Sequence, residues 1–106
     1  MKSSTDTLIT VGIPAYKANK TLPDALASIQ IQSMKDQVAV ILAPDDPEDD
    51  YSELVERFGD LNITVLGCES NTGPGLARQR ALGACTTPWI TFMDADDVLF
   101  SPYALE

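Results

Sequence analysis

Four short apolar runs, residues 8–13, 38–42, 63–66 and 89–93, recur along the chain, and the gaps between them hold stretches with helical spacing. Runs this short, rich in Val, Ile and Leu and without strict polar alternation, suit strands buried on both faces. Strands alternating with helices through short links predict a parallel, right-handed βαβ sheet covered on both sides. The expected fold class is therefore α/β, three-layer α/β/α with a mainly parallel, Rossmann-like sheet. No internal repeat or linker is visible, so residues 1–106 are read as one domain.

The punctuation is specific. The first run stops at Pro14 and the second closes at Pro44, prolines that suit strand exits. Thr21 offers an N-cap, with Pro23 in the first turn and Asp24 three residues after the cap, which opens a helix through about Gln32. Leu22, Ala25, Leu26, Ile29 and Ser33 recur on one face of it. Tyr51, Leu54, Val55 and Phe58 mark a second helix, with Gly59 placed as a C-cap. A third is expected over residues 75–84, with Leu76, Arg80 and Ala84 on one stripe.

Charge and composition remove several classes of function. With 16 acidic and 7 basic residues the formal charge is -9, which disfavours a nucleic-acid backbone or an anionic membrane as partner. A phosphate ligand would need help from a cation. The chain has no histidine, so the commonest general base, the usual hydrolase triads and most zinc sites are excluded. Cys68 and Cys85 fit neither a zinc spacing nor a disulfide framework and are read as buried free thiols, making a reducing cytoplasm the expected location. Residues 1–6 lack a signal-peptide core, and no apolar run approaches the ~20 residues of a membrane span.

Four segments carry candidate chemistry, each at the carboxyl side of an expected strand or the amino end of a helix. In Gly12-Ile13-Pro14-Ala15-Tyr16-Lys17, Pro14 fixes the exit angle and Tyr16 offers a flat surface to a base. In Ala43-Pro44-Asp45-Asp46-Pro47-Glu48-Asp49-Asp50, Asp49 or Asp50 suits a helix cap, whereas Asp45 sits where a carboxylate can accept the imide N–H of uracil. Asn71-Thr72-Gly73-Pro74-Gly75 leads into a helix whose amino end favours anions. That helix carries Arg78 and Arg80, which point to different faces, so one is expected at the ligand and the other in an ion pair. The last run ends in Asp94-Ala95-Asp96-Asp97. Strands bury such runs, so these acids emerge where ligands bind at the carboxyl edge of a parallel sheet. Asp94 and Asp96 suit a shared Mg²⁺ or Mn²⁺ that also holds a diphosphate, and Asp97 equally suits a cap of the following turn.

Together these segments resemble the amino-terminal half of a family 2 glycosyltransferase with the GT-A fold, and the resemblance covers nearly the whole chain. It implies a nucleotide-diphosphate sugar, UDP-sugar foremost, as donor, with Mn²⁺ or Mg²⁺ as cofactor. It further implies that Pro14, Ala15 and Tyr16 border the base, Asp45 reads uracil, Arg78 holds the nucleotide, Asp94 with Ala95 reaches the ribose, and Asp96 binds the metal. Two positions depart from the family pattern. Pro44-Asp45-Asp46-Pro47 stands where Asp-Asp-Gly-Ser is usual, so either Asp45 or Asp46 takes the base-reading place, and Lys17 follows Tyr16 where asparagine is typical.

The expected activity is metal-dependent transfer of the sugar to an acceptor hydroxyl of a saccharide, lipid or protein. Family members normally continue for a hundred or more residues that supply the acceptor site and the general base, so the base is unidentified and the chain is read as a minimal or shortened member. The alternative is a nucleotide-sugar-binding module that transfers nothing without a missing half or a partner, and whose uncovered apolar surface favours homo-oligomers. A plain α/β domain whose acidic loops bind Ca²⁺ or nothing is the third reading.

Overall fold

The computed structural model describes residues 8–32, 37–48, 50–68 and 74–94. Among them the order is β1 (Ile9–Ala15), α1 (Leu22–Gln30), β2 (Val38–Pro44), α2 (Ser52–Arg57), β3 (Asn62–Val65), α3 (Pro74–Ala84) and β4 (Trp89–Phe92). Ser33, Asp49, Asn71, Thr72, Gly73, Ala95, Asp96 and Asp97, all named above, lie outside the described residues.

The four strands form one sheet in the order β3-β2-β1-β4, parallel throughout, with Ile13 opposite Leu42, Leu42 opposite Val65 and Gly12 opposite Phe92. Right-handed crossovers explain the layers. From β1 to β2 to β3 the chain steps in one direction, which puts α1 and α2 on the same face. The return from β3 past β2 and β1 to β4 reverses direction and carries α3 to the other face. The first face buries Ile13, Leu22, Leu26, Ile29, Leu42, Tyr51 and Leu54 in one cluster, and the second joins Ala77 and Ala81 of α3 to Ile41 and Ala43. The three-layer expectation therefore holds.

Several local readings are corrected. β1 and β2 run through Pro14 and Pro44 and do not stop before them. Even-numbered backbone groups of β1 face β4, as the bond from Met93 N–H to Gly12 O shows, and odd-numbered ones face β2, as that from Asp45 N–H to Ala15 O shows. The missing N–H of Pro14 thus falls on the β4 side, where pairing has already ended. Thr21 occupies the N-cap position of α1 without a side-chain cap bond, and its hydroxyl turns back to Ala18 O instead, while α1 ends at Gln30. Phe58 is the C-cap residue of α2, and Asp50 acts at the other end by accepting the Ser52 N–H at 2.9 Å. That backbone bond, with a second from the Ser52 side chain, holds the Asp50 carboxyl below its usual range.

β3 lies one residue earlier than expected, and the buried stripe of α3 is Ala77 and Ala81, with Leu76 and Ala84 exposed and Arg80 flanking. Small residues let the helix lie close to the sheet, where the Cβ of Ala81 comes within 3.3 Å of the place a Cβ on Gly12 would occupy. The fourth strand is less buried than its apolar run suggests: Trp89 is 70% and Phe92 39% exposed. β4 pairs with β1 alone and lies at the edge of the described sheet, so its side chains lack a second neighbour. Cys68 and Cys85 are not joined in a disulfide and are only partly buried, against the expectation of buried thiols.

Candidate functional site

Parallel pairing brings the carboxyl ends of all four strands to one edge, so Tyr16 after β1, Asp45 after β2, Leu66 after β3 and Asp94 after β4 share it. β1 and β4 flank the point where chain direction reverses, the position at which open α/β sheets form a ligand crevice. Ladder bonds persist just past the strand ends: Asp45 N–H to Ala15 O at 2.8 Å, Leu66 N–H to Leu42 O at 2.9 Å and Met93 N–H to Gly12 O at 3.0 Å. These bonds hold Asp45, and Met93 next to Asp94, at defined places on the edge although they follow the regular strands.

The first segment divides in two. Ala15 is buried and Pro14 half-buried, whereas the Tyr16 ring is exposed with the Lys17 ammonium 5.3 Å from its centroid. Lys17 has φ 48°, a left-handed conformation that asparagine adopts more readily than lysine. A tight turn therefore turns Tyr16 outwards immediately after a strand that is otherwise inside.

After β2, Asp45 is buried at 5% exposure, while Asp46 is half-buried and accepts the Glu48 N–H at 2.9 Å. The two aspartates are thus distinct: Asp46 stabilises its own turn, and Asp45 lies against the end of β1. Beside them a cleft of about 280 Å³ opens between the ends of β2 and β3, lined by Pro44, Asp46, Tyr51, Leu66, Gly67 and Cys68. A larger hollow of about 460 Å³ lies along α2, bordered by Asn19, Glu53 and Arg57. Of the residues that share the carboxyl edge, Leu66 lines the smaller cleft, while Tyr16, Asp45, Arg78 and Asp94 line neither hollow.

Arg78 and Arg80 do separate to different faces, but the ion pair belongs to Arg78. Its guanidinium lies 3.1 Å from the Asp94 carboxylate, with side chains 43% and 59% exposed. At that exposure the pair contributes at most about 1 kcal/mol, so it orders the edge more than it stabilises the fold. Arg80 instead donates to two backbone carbonyls, Gly67 O at 2.7 Å and Pro44 O.

Asp96 lies outside the described residues, and Asp94 is the one candidate metal ligand that can be placed. Among the described residues no group of three His, Cys, Asp or Glu side chains could hold a metal ion. Mg²⁺ commonly takes one or two protein carboxylates and leaves its remaining positions to phosphate and water. An exposed carboxylate at the strand mouth, in a chain with no imidazole, fits a hard cation shared with a ligand and not a cage made by protein alone.

Tyr51 was legible only as a core residue. It is 2% exposed, and its hydroxyl accepts the Ala18 N–H at 3.2 Å, tying the loop after β1 to the start of α2. A tyrosine in place of phenylalanine on an otherwise apolar stripe was the available signal.

With this geometry in place, comparison with known proteins is informative. Residues 10–106 match the family described as Glycosyl transferase family 2. A curated relative, the amylovoran biosynthesis glycosyltransferase AmsB of Erwinia amylovora, is 31% identical over 97 residues, 87% of this chain and 32% of that protein. The poly(ribitol-phosphate) beta-N-acetylglucosaminyltransferase TarS of Staphylococcus aureus is 30% identical over 82% of this chain and 16% of its own length. The crystal structure of S. aureus TarS in complex with UDP-GlcNAc superposes with a TM-score of 0.79 at 29% identity, over 87% of this chain and 27% of that one. A mannosyltransferase from Pyrobaculum calidifontis, solved with GDP-Man and Mn²⁺, superposes equally well at 22% identity, which speaks to the fold alone. The GT-A fold implied by the resemblance is thus the fold of this chain. The chain spans between 14% and 36% of the length of the curated relatives it matches.

Proposed function

The chain belongs to Glycosyl transferase family 2, and on that premise we propose that the carboxyl edge of its sheet binds a UDP-sugar and presents the sugar to an acceptor hydroxyl. The observation that carries this reading is the convergence of Tyr16, Asp45, Arg78 and Asp94 at one edge, beside the reversal point of a sheet that superposes on a UDP-GlcNAc-bound relative. The exposed Tyr16 ring supplies a flat surface for the base, bordered by Pro14 and Ala15. Asp45, lying against β1, accepts the uracil imide N–H, while Asp46 remains occupied by its turn. Asp94, with Ala95, meets the ribose, and Arg78 exchanges its bond to Asp94 for the diphosphate.

A chain of charge -9 repels a diphosphate unless positive charge is supplied. Mn²⁺ or Mg²⁺ held by Asp96 and Asp94 would supply it, and stabilise the departing diphosphate. No described residue is assigned as general base. The acceptor is a saccharide, lipid or protein hydroxyl.

Calorimetric titration of UDP, with Mn²⁺ and again with a chelator, tests the reading. Metal-dependent binding that falls about 100-fold in Asp96→Ala is expected. Equal affinity with chelator present would refute the metal assignment, and absence of binding under both conditions would refute the site.

A second reading keeps the binding and drops the transfer: a module that acts only when another chain or a further segment completes the site. Trp89, 70% exposed on β4 at the edge of the described sheet, favours it, because an open strand edge carrying an exposed apolar ring is a place for a partner or a second copy to pair. Sugar-nucleotide turnover separates the two readings, and sedimentation at rising concentration checks self-association. That Cys68 and Cys85 are not joined in a disulfide supports a cytoplasmic location, which fractionation of expressing cells would check.

A further inference from the structure

β2 and β3 stop pairing before their backbones have run out of polar groups. The last bond of that ladder runs from Leu66 N–H to Leu42 O, and even-numbered carbonyls of β2 face β3, so Pro44 O faces the same side with no strand left to meet it. Arg80 fills that place. From α3 its guanidinium donates to Pro44 O and, at 2.7 Å, to Gly67 O, one carbonyl from each of the two diverging strand ends. Its Nε is buried and has no acceptor. A buried unpaired donor is unfavourable and offsets part of what the two bonds contribute, so stability alone is a weak account of the residue.

What the two carbonyls do locally gives a better account. Pro44 O belongs to the peptide whose N–H is that of Asp45, and the same N–H donates to Ala15 O at 2.8 Å. One peptide unit is therefore held from both sides, by β1 through its N–H and by Arg80 through its carbonyl, and the buried Asp45 side chain follows from it. Gly67 and Pro44 both line the 280 Å³ cleft, so the same guanidinium ties two of its lining residues together.

We propose that Arg80 is a positioning residue for donor selection: by bridging Pro44 O and Gly67 O it continues the β2–β3 ladder beyond the strands and fixes Asp45 for reading the base. This rests on the reading of the carboxyl edge as a UDP-sugar site. Asp45 discriminates by chemistry, because uracil presents an N–H where cytosine presents a lone pair that a carboxylate repels. The ratio of CDP to UDP dissociation constants therefore reports the placement of Asp45, whereas contacts to ribose and diphosphate are common to both ligands.

The test compares the protein with Arg80→Met and Arg80→Lys by titration of UDP and CDP in Mn²⁺, with hydrogen exchange at the Asp45 amide measured without ligand. Arg80→Met is expected to reduce the CDP/UDP ratio about tenfold and to speed exchange at Asp45, while affinity for the shared diphosphate changes little. Arg80→Lys keeps a donor for one of the two carbonyls and is expected to restore part of the ratio. An unchanged ratio and unchanged exchange in a folded variant would overturn the proposal. If Arg80→Met does not fold, the lysine variant decides by the same two readouts. Should the unsubstituted protein bind neither ligand, the site reading itself fails; should it bind UDP with no preference over CDP, the base-reading role of Asp45 fails and that of Arg80 with it.

Discussion

The two faces of the sheet are built on different principles. Against α1 and α2, Ile13, Leu22, Leu26, Ile29 and Leu42 are fully buried in a core of large aliphatic side chains. Against α3 the contact is made by Ala77 and Ala81 upon Ile41 and Ala43, and the large residues of that helix, Leu76 and Leu82, point outwards at 49% and 54% exposure. The first face holds the fold together. The second gives up apolar volume for proximity, which brings the backbone of α3 near enough for Arg78 to reach Asp94 and Arg80 to reach Pro44 O.

The widest contrast should come from matched truncations. Leu26→Ala removes a fully buried side chain and is expected to lower unfolding free energy by about 3 kcal/mol, against less than about 0.5 kcal/mol for Leu82→Ala. Urea denaturation of both variants measures the difference. Equal losses would break the comparison, since they would mean that Leu82 is covered by something in solution.

Close approach on the α3 face predicts a smaller effect of opposite logic, in which adding atoms does the damage. A Cβ on Gly12 would lie 3.0 Å from two ring carbons of Phe92 and 3.3 Å from the Ala81 Cβ. Phe92 is 39% exposed and can swing away, so Gly12→Ala should cost about 1 kcal/mol and Gly12→Val about 2–3 kcal/mol. Introducing Phe92→Leu with Gly12→Ala should recover most of the smaller loss, a coupling that a double-mutant cycle reads directly. Independent, additive effects would show that the ring is not the obstacle.

The thick face was far easier to read in the sequence than the thin one. Leu22, Ala25, Leu26 and Ile29 announce themselves by period, and the apolar runs of β1 and β2 by composition, because large side chains in a regular pattern have few other uses. Ala77 and Ala81 give no such signal, and helical spacing from Leu76 picks out Arg80 and Ala84 in their place. For the site, the parallel topology was enough to bring Tyr16, Asp45 and Asp94 to one edge. Which arginine would pair with Asp94, and that the other would serve two carbonyls, depended on the helix's depth over the sheet. That depth is set by alanines and a glycine, and no pattern of hydrophobicity encodes it.

The smallest prediction concerns the turn that presents Tyr16, where the rigid interior of β1 gives way to the exposed edge. Lys17 holds φ 48°, which for a residue with a Cβ is unfavourable by about 1–2 kcal/mol, and asparagine lowers that penalty by bonding to its own backbone. Lys17→Asn also removes the ammonium that lies 5.3 Å from the Tyr16 ring, an exposed contact of about 0.5–1 kcal/mol. The balance should be a gain of about 0.5 kcal/mol in unfolding free energy, near the limit of what thermal denaturation resolves. Because the Tyr16 ring then loses its covering cation, the same variant should bind UDP no more weakly than the parent. A loss of stability together with a loss of affinity would show that the lysine, and not the backbone turn, is what holds Tyr16 at the edge.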